Sequence, residues 1–333
     1  MYNKEVIDDI TLVTLENEEI KVKFISYGAA IKELYTKDYN GNFGNIVLGY
    51  STLERYKVPS TCYGATIGPN SGRITGGRMV IDGKVIELEK NYLGVSNSHG
   101  YPYGFLKENF VVDTLEENKV VFHLHRLENE YFPGDIDVYV TYELCGNKLV
   151  MTYDAESTKD TILNMTNHSY FNLSGDVKNN ILDHQMILNA SRYIRIDEYM
   201  NKVAYDEVEG TPFDFKSLKS VGPSVEKIKE LGIMTNGIDH VFLLDKNNES
   251  DIFIQDPVSL RTMTIKTTYP CVVCYTYNKS KGEDMINGNK ANNHDGICFE
   301  CQYEPNSINE NITGSSYLKK GEKYHHVTTY EFN

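Results

Sequence analysis

Two strand-like segments, far apart in the chain, carry side chains able to move protons. In residues 164–175, Asn-Met-Thr-Asn-His-Ser-Tyr-Phe-Asn-Leu-Ser-Gly, the ionisable His168 stands among hydrogen-bonding neighbours in an aromatic run. Read with the two-residue period of a strand, His168, Tyr170 and Asn172 share one face while Phe171 and Leu173 share the other, so one face can pack apolar neighbours and the other can meet a polar ligand. The same alternation in residues 296–302, Gly-Ile-Cys-Phe-Glu-Cys-Gln, groups Cys298, Glu300 and Gln302, with a carboxylate in the middle of an otherwise apolar strand. An ionised carboxylate there is costly unless it is paired or used. A His and a Glu brought together from distant strands can divide acid and base duties.

The elements that must position them read almost entirely as strands. Residues 10–37 alternate through Ile-Thr-Leu-Val-Thr-Leu and Ile-Lys-Val-Lys-Phe-Ile, broken by an acidic turn at 16–19 and by Gly28, which is a meander. Hairpin turns are expected at Asp82-Gly83, at 116–119 and at Gly146-Asn147, each between runs rich in Val, Ile, Phe and Tyr. Alternation returns at 325–332. Helical periodicity is confined to 224–231, capped by Pro223-Ser224, with a short turn at 51–56. Many closely spaced strands and almost no helix predict an all-β fold, a large antiparallel β-sandwich with few short helices, in one domain over 1–333. The polar segments 246–251 and 279–295, rich in Asn and Gly, are expected to be mobile.

Other residues invite chemistry with less support. The glycines at 64, 68 and 72 fit neither a dinucleotide fingerprint nor a Walker loop, and no helix follows them, so they read as a bulged or tightly packed turn. Arg73 in that bend is either a fixed donor to hydroxyl oxygens or a surface ion pair. Cys271-Val-Val-Cys274 and Cys298-Phe-Glu-Cys301 are separated by 23 residues, close to a zinc-ribbon spacing. Both lie in β-branched or aromatic runs, and in a strand residues three apart point to opposite faces, so neither pair can easily grip one ion. They read as core thiols, and no metal is assigned. His123-Leu-His125 reads as part of a cross-strand surface ladder. His99 sits at a loop-like turn, and Asp239 opens an apolar strand where a carboxylate commonly caps a turn. His184, His240, His294, His325 and His326 receive no role. The 25 Tyr and 13 Phe, with no Trp, could line a sugar pocket but equally serve β packing.

Composition bounds the partners. The 47 acidic against 33 basic residues give a formal charge of -14, which works against nucleic acid and anionic membranes. No apolar run approaches the roughly 18 residues of a membrane span and residues 1–9 are charged, so a cytoplasmic location is expected, and with it free thiols rather than disulfides.

Taken in order, these segments resemble the aldose 1-epimerase (galactose mutarotase) family over nearly the whole chain. The resemblance is carried by Gly-x-x-x-Gly-Arg-Ile at 68–74, Asn-x-His-Gly at 97–100, Asn-His-Ser-Tyr-Phe-Asn-Leu at 167–173, Thr-Pro-Phe-Asp-Phe at 211–215, Gly-x-Asp-His at 237–240 and Glu-x-Gln with a following Pro at 300–305. It implies a supersandwich with an open polar sugar cleft, no cofactor and a free monosaccharide such as galactose or glucose as substrate, in a monomer or homodimer. It also implies that His168 is the general acid and Glu300 the general base, and that Arg73, His99, Asp239 and Gln302 hold sugar hydroxyls. The chain departs from the family at Pro69, Ser98, Tyr101 and Asn306, and Cys274 stands where the family commonly offers Phe as a platform under the ring. These departures bear on substrate choice, and Cys274 also permits a sugar-binding protein without turnover. Pro69 in place of an Arg argues against a phosphorylated sugar.

Overall fold

A computed structural model describes residues 1–333 except Asn247, Asn248, Asn311 and Thr313. Three sheets dominate. The first is a five-stranded meander of Tyr2–Ile7, Ile10–Glu16, Ile20–Ile25, Ala30–Lys37 and Phe43–Asn45. The second has nine strands and is centred on Ile136–Cys145, Lys148–Ser157 and Tyr324–Phe332. The third runs in the order Tyr170–Phe171, Ile297–Gln302, Cys271–Tyr275, Asp239–Leu243, Arg192–Ile196 and Lys202–Glu207. Pairings within all three are antiparallel.

The inward faces of these sheets share one core, as the alternating sequence requires. Phe24 of the first sheet stacks on Tyr142 of the second, ring centroids 4.4 Å apart. On the other flank Phe171 of the third sheet meets Tyr330 of the second at 5.4 Å. Burying aromatic pairs from facing sheets is what holds a sandwich together. Among the described residues, no helix is long and apolar enough to cross a membrane.

The expected turns form where the sequence placed them. Asp82 and Gly83 both adopt positive φ, 49° and 71°, between Arg78–Ile81 and Lys84–Glu87, the geometry a two-residue hairpin favours. The helix is Val221–Glu230, three residues earlier than its periodicity suggested. Pro223 lies inside its first turn rather than before it, which costs no bond because first-turn N–H groups lack intrahelical partners. A second, short helix covers Glu54–Lys57.

Residues 279–295 are anchored to the body of the protein: Glu283 accepts from the Ser60 hydroxyl at 3.2 Å, from Thr61, and from Tyr277 at 2.9 Å, while Met285 and Ala291 are buried. Of 246–251, two residues lie outside those described, and Lys246 donates to Asp251 at 3.3 Å and to the Thr267 carbonyl at 2.9 Å. Some of these contacts are local, as from Tyr277 and Asp251, and others come from Ser60, Thr61 and Thr267, distant in sequence.

Candidate active site

The His168 segment is not one continuous strand. Thr166–Asn167 pairs with Thr66–Ile67, and Tyr170–Phe171 pairs with Cys298 and Ile297 on the third sheet, so His168 and Ser169 bridge the two pairings. The asparagines around it hold that crossing. Asn167 donates to the Gly64 carbonyl at 2.8 Å and accepts from the Ser169 amide at 3.0 Å. Gly64 in turn donates its own amide to the His168 carbonyl at 3.1 Å. Only glycine fits there: φ is +67°, and a Cβ would stand 1.9 Å from the Ile31 carbonyl oxygen. Of the three residues assigned to a ligand-facing side, His168 alone lines the cavity. Tyr170 is buried and stacks on the His168 ring at 5.0 Å, and Asn172 spends its amide on the carbonyls of Asn179 and Asp295.

Register places the rest. Glu300 is opposite Val273, which is opposite Val241, and Asp239 is opposite Tyr275, which is opposite Cys298. Three adjacent strands therefore present Glu300, Val273, Tyr275 and Asp239 to one cavity of about 230 Å³, closed from the other side by Arg73, His99 and His168. Arg73 begins a short strand paired with Ser98, so the bend that delivers Arg73 also delivers His99. That bend is reciprocal: the His99 amide donates to the Gly72 carbonyl at 3.0 Å, and the Gly72 amide donates to His99 Nδ1 at 3.4 Å. An occupied Nδ1 lone pair leaves the hydrogen on Nε2, which makes His99 a donor into the cavity. His99 takes a left-handed φ of 56°, an unfavourable conformation for a non-glycine residue that this network sustains.

His168 Nε2 lies 3.4 Å from Glu300 Oε1, and both side chains are almost wholly buried. Burial pushes the Glu300 carboxyl up to about 8, helped by the negative charge of Asp239 and opposed by Arg73. Burial drives the His168 imidazole down to about 4, against a small opposing contribution from its own backbone carbonyl. Burial therefore works against an imidazolium–carboxylate pair at these two positions. At neutral pH the pair holds one proton between its two members, and the low-dielectric surroundings favour the arrangement without charge.

Arg73 sits beside Asp239, Nη2 to Oδ2 3.5 Å, with its guanidinium 4.4 Å over the Tyr92 ring. Burial lowers the Arg73 pKa, but the Asp239 charge and Tyr92 outweigh it and the net shift is upward. Burial raises the Asp239 carboxyl, with Arg73 and Lys279 offsetting part of the rise. His99 is driven well below its ordinary range by burial, with His168 and Arg73 adding to the effect. The constellation thus offers fixed donors at Arg73 and His99, an acceptor at Asp239 and a shared proton at His168 and Glu300.

Gln302 is not brought to the cavity wall. It is wholly buried beside Gly72, its amide donates to the Tyr303 carbonyl at 3.1 Å, and its Oε1 has no hydrogen-bond partner among the described residues. Cys274 is likewise off the site: it pairs with Phe299 on the core face of the sheet, so it cannot act as a platform, and Val273 and Tyr275 hold the neighbouring cavity positions. The ground it offered for a protein without turnover falls with it. None of the departures at Pro69, Ser98, Tyr101 and Asn306 lines the cavity. Sequence reasoning missed Tyr92, Thr235, Asn278 and Lys279, which also line it. Val273 and Tyr275 were missed too, although their alternation puts both on one face of Cys271–Tyr275.

Each C-x-x-C pair divides its sulfurs between faces, Cys271 and Cys298 on the Glu300 side, Cys274 and Cys301 in the core. His123 Nε2 and His125 Nδ1 both meet Asp137 Oδ1 from the neighbouring strand, at 2.9 and 3.0 Å, as a surface ladder would. Among the described residues, the group able to surround a metal ion is His99, His168 and Glu300, whose donor atoms lie within 4.8 Å of one another. It fits a cation poorly, since Gly72 occupies one nitrogen of His99 and the Arg73 charge is adjacent.

The β-sandwich around this cleft has the fold of galactose mutarotase-like proteins. The aldose epimerase homologue from C. elegans superposes with a TM-score of 0.88 at 22% identity, covering 97% of this chain and 98% of that one. Galactose 1-epimerase from Lactobacillus acidophilus NCFM gives 0.85 at 26% identity, covering 100% and 98%. The sequence is 33% identical over 323 residues to galactose mutarotase from Mus musculus, covering 96% of this chain and 93% of the relative. The family model described as aldose 1-epimerase matches residues 11–331, and the chain belongs to that family.

Proposed function

We propose that this chain, acting as a single domain, is an aldose 1-epimerase that interconverts the α and β anomers of a free hexose such as galactose or glucose, with His168 as general acid and Glu300 as general base. The observation that carries the assignment is the 3.4 Å approach of His168 Nε2 to Glu300 Oε1 inside a cavity lined by Arg73, His99 and Asp239. A pair that shares one proton is suited to a reaction that returns every proton it takes. Sugar hydroxyls donating to Glu300 favour its carboxylate form, so the shared proton moves to His168 Nε2. Glu300 then accepts the proton of the anomeric hydroxyl while His168 donates to the ring oxygen, and the C1 to ring-oxygen bond opens to the aldehyde. Rotation about C1–C2 presents the other carbonyl face. Reclosure with the roles reversed gives the other anomer and restores the pair.

Arg73 and His99 donate, and Asp239 accepts, to hold the remaining hydroxyls while C1 turns. Val273 and Tyr275 give the ring carbons an apolar wall. The reading places the enzyme in the cytoplasm, with a neutral monosaccharide as its only required partner. Polarimetry on freshly dissolved α-D-galactose and α-D-glucose tests it: optical rotation should relax faster than the spontaneous rate, in proportion to enzyme. Relaxation at the spontaneous rate for both sugars would defeat the proposal.

A further inference from the structure

An imidazole that gains and loses its proton at Nε2 must keep a hydrogen on Nδ1 in both states, so the tautomer of His168 has to be held by whatever faces Nδ1. Sγ of Cys298 lies 3.4 Å from that nitrogen. Cys298 is wholly buried and stands on the same face of Ile297–Gln302 as Glu300, two residues earlier. One strand thus meets the ring at both nitrogens, Cys298 at Nδ1 and Glu300 at Nε2. Tyr170, the cross-strand partner of Cys298, stacks on the ring with an interplanar angle of 21°. These contacts fix the position and rotation of the imidazole.

We propose that Cys298 is a positioning residue whose sulfur accepts from Nδ1–H of His168, fixing the tautomer that turns the Nε2 lone pair toward Glu300 and the sugar. Where other histidine catalysts set a carboxylate against Nδ1 and so stabilise the imidazolium, a thiol is uncharged and a weak acceptor. It orients the ring without strengthening its hold on the second proton. His168, once protonated at Nε2, is consequently a strong donor to the ring oxygen. This inference rests on His168 acting as the general acid, but the tautomer itself can be read without turnover.

The test is long-range ¹H–¹⁵N spectroscopy of the imidazoles in the full-length, sugar-free protein, with the His168 signal assigned by its loss in His168→Asn, alongside kinetics of Cys298→Ala and Cys298→Ser. Wild type should show Nδ1 protonated and Nε2 bare. Cys298→Ala should show a mixture of tautomers, with kcat lowered about tenfold and KM within about twofold, the mark of a group that acts through another residue. Cys298→Ser, whose hydroxyl also accepts, should restore both the spectrum and most of kcat. A wild-type spectrum with the hydrogen on Nε2 overturns the proposal whether or not the alanine variant folds, and so does an alanine variant with unchanged tautomer and kcat. Should the protein prove not to be a mutarotase, the same spectra still decide the role of Cys298.

Discussion

Replacing Asp239 with Asn probes the electrostatics of the shared proton without touching either residue that holds it. Asp239 and Glu300 lie two strands apart, with their register positions offset by two residues, because Asp239 faces Tyr275 and Glu300 faces Val273. Strand spacing and rise then put their backbones about 12 Å apart. At an effective dielectric of about 20, two unit charges at that distance repel by about 1.4 kcal/mol, which is about one pKa unit. The Asp239 charge is the leading electrostatic cause of the upward shift of Glu300 to about 8, so removing it must bring Glu300 down. The assay is polarimetric kcat/KM between pH 5 and 9 with the spontaneous rate subtracted. In wild type the profile should be a broad plateau: below about 4 the pair carries two protons and has no base, and above about 8 it carries none and has no acid. Asp239→Asn should lower the plateau through its lost hydroxyl contact and move the alkaline limb down by about one pH unit. An unmoved limb, or one that moves up, would refute the reasoning.

Glu300→Gln should make the protein more stable at alkaline pH. A carboxyl whose pKa is raised in the fold contributes its full stability below its ordinary value near 4.5 and loses it as pH climbs through about 8, whereas the amide loses nothing. The Tm of the variant should match wild type near pH 4 and exceed it by a few degrees at pH 8, and equal melting curves at both would place Glu300 in a far more polar setting. Arg73→Ala should lower kcat/KM by about 10- to 100-fold through a lost charged hydrogen bond, with only a modest fall in Tm because the side chain is half-buried and Asp239 can take up a proton. A collapse in Tm would make Arg73 a structural residue. Dialysis against EDTA should leave mutarotation unchanged, and loss of activity restored by zinc would mean that His99, His168 and Glu300 work around a metal.

Much of the fold and site is legible in the sequence, for reasons that differ from residue to residue. Strand alternation exposed Glu300 as a carboxylate in an apolar run, and the opposite-face rule separated Cys271 from Cys274. Alternation assigns faces but not the element each face meets. That is why Tyr170 and Asn172 looked like ligand contacts when burial had already committed them to neighbours. Pairing order is invisible in the chain, so nothing indicated that Cys274 would face Phe299 in the core while Val273 faced the cavity. The contacts of residues 279–295 are hidden for a related reason, since Glu283 reaches Ser60 and Thr61, more than 200 positions away. Protonation was the least readable property of all, because burial, which only the fold creates, sets both members of the pair.

The central claim is that His168 and Glu300 act together in one proton-transfer step. Mutarotation of α-D-galactose by His168→Asn, Glu300→Gln and the double variant tests it most directly, with sugar binding followed by calorimetry. Each single substitution should cost about 10²–10⁴-fold in kcat while binding persists, and the double variant should lose much less than the product of the two losses. Near-wild-type turnover by either single variant, or independent losses that multiply, would contradict the account.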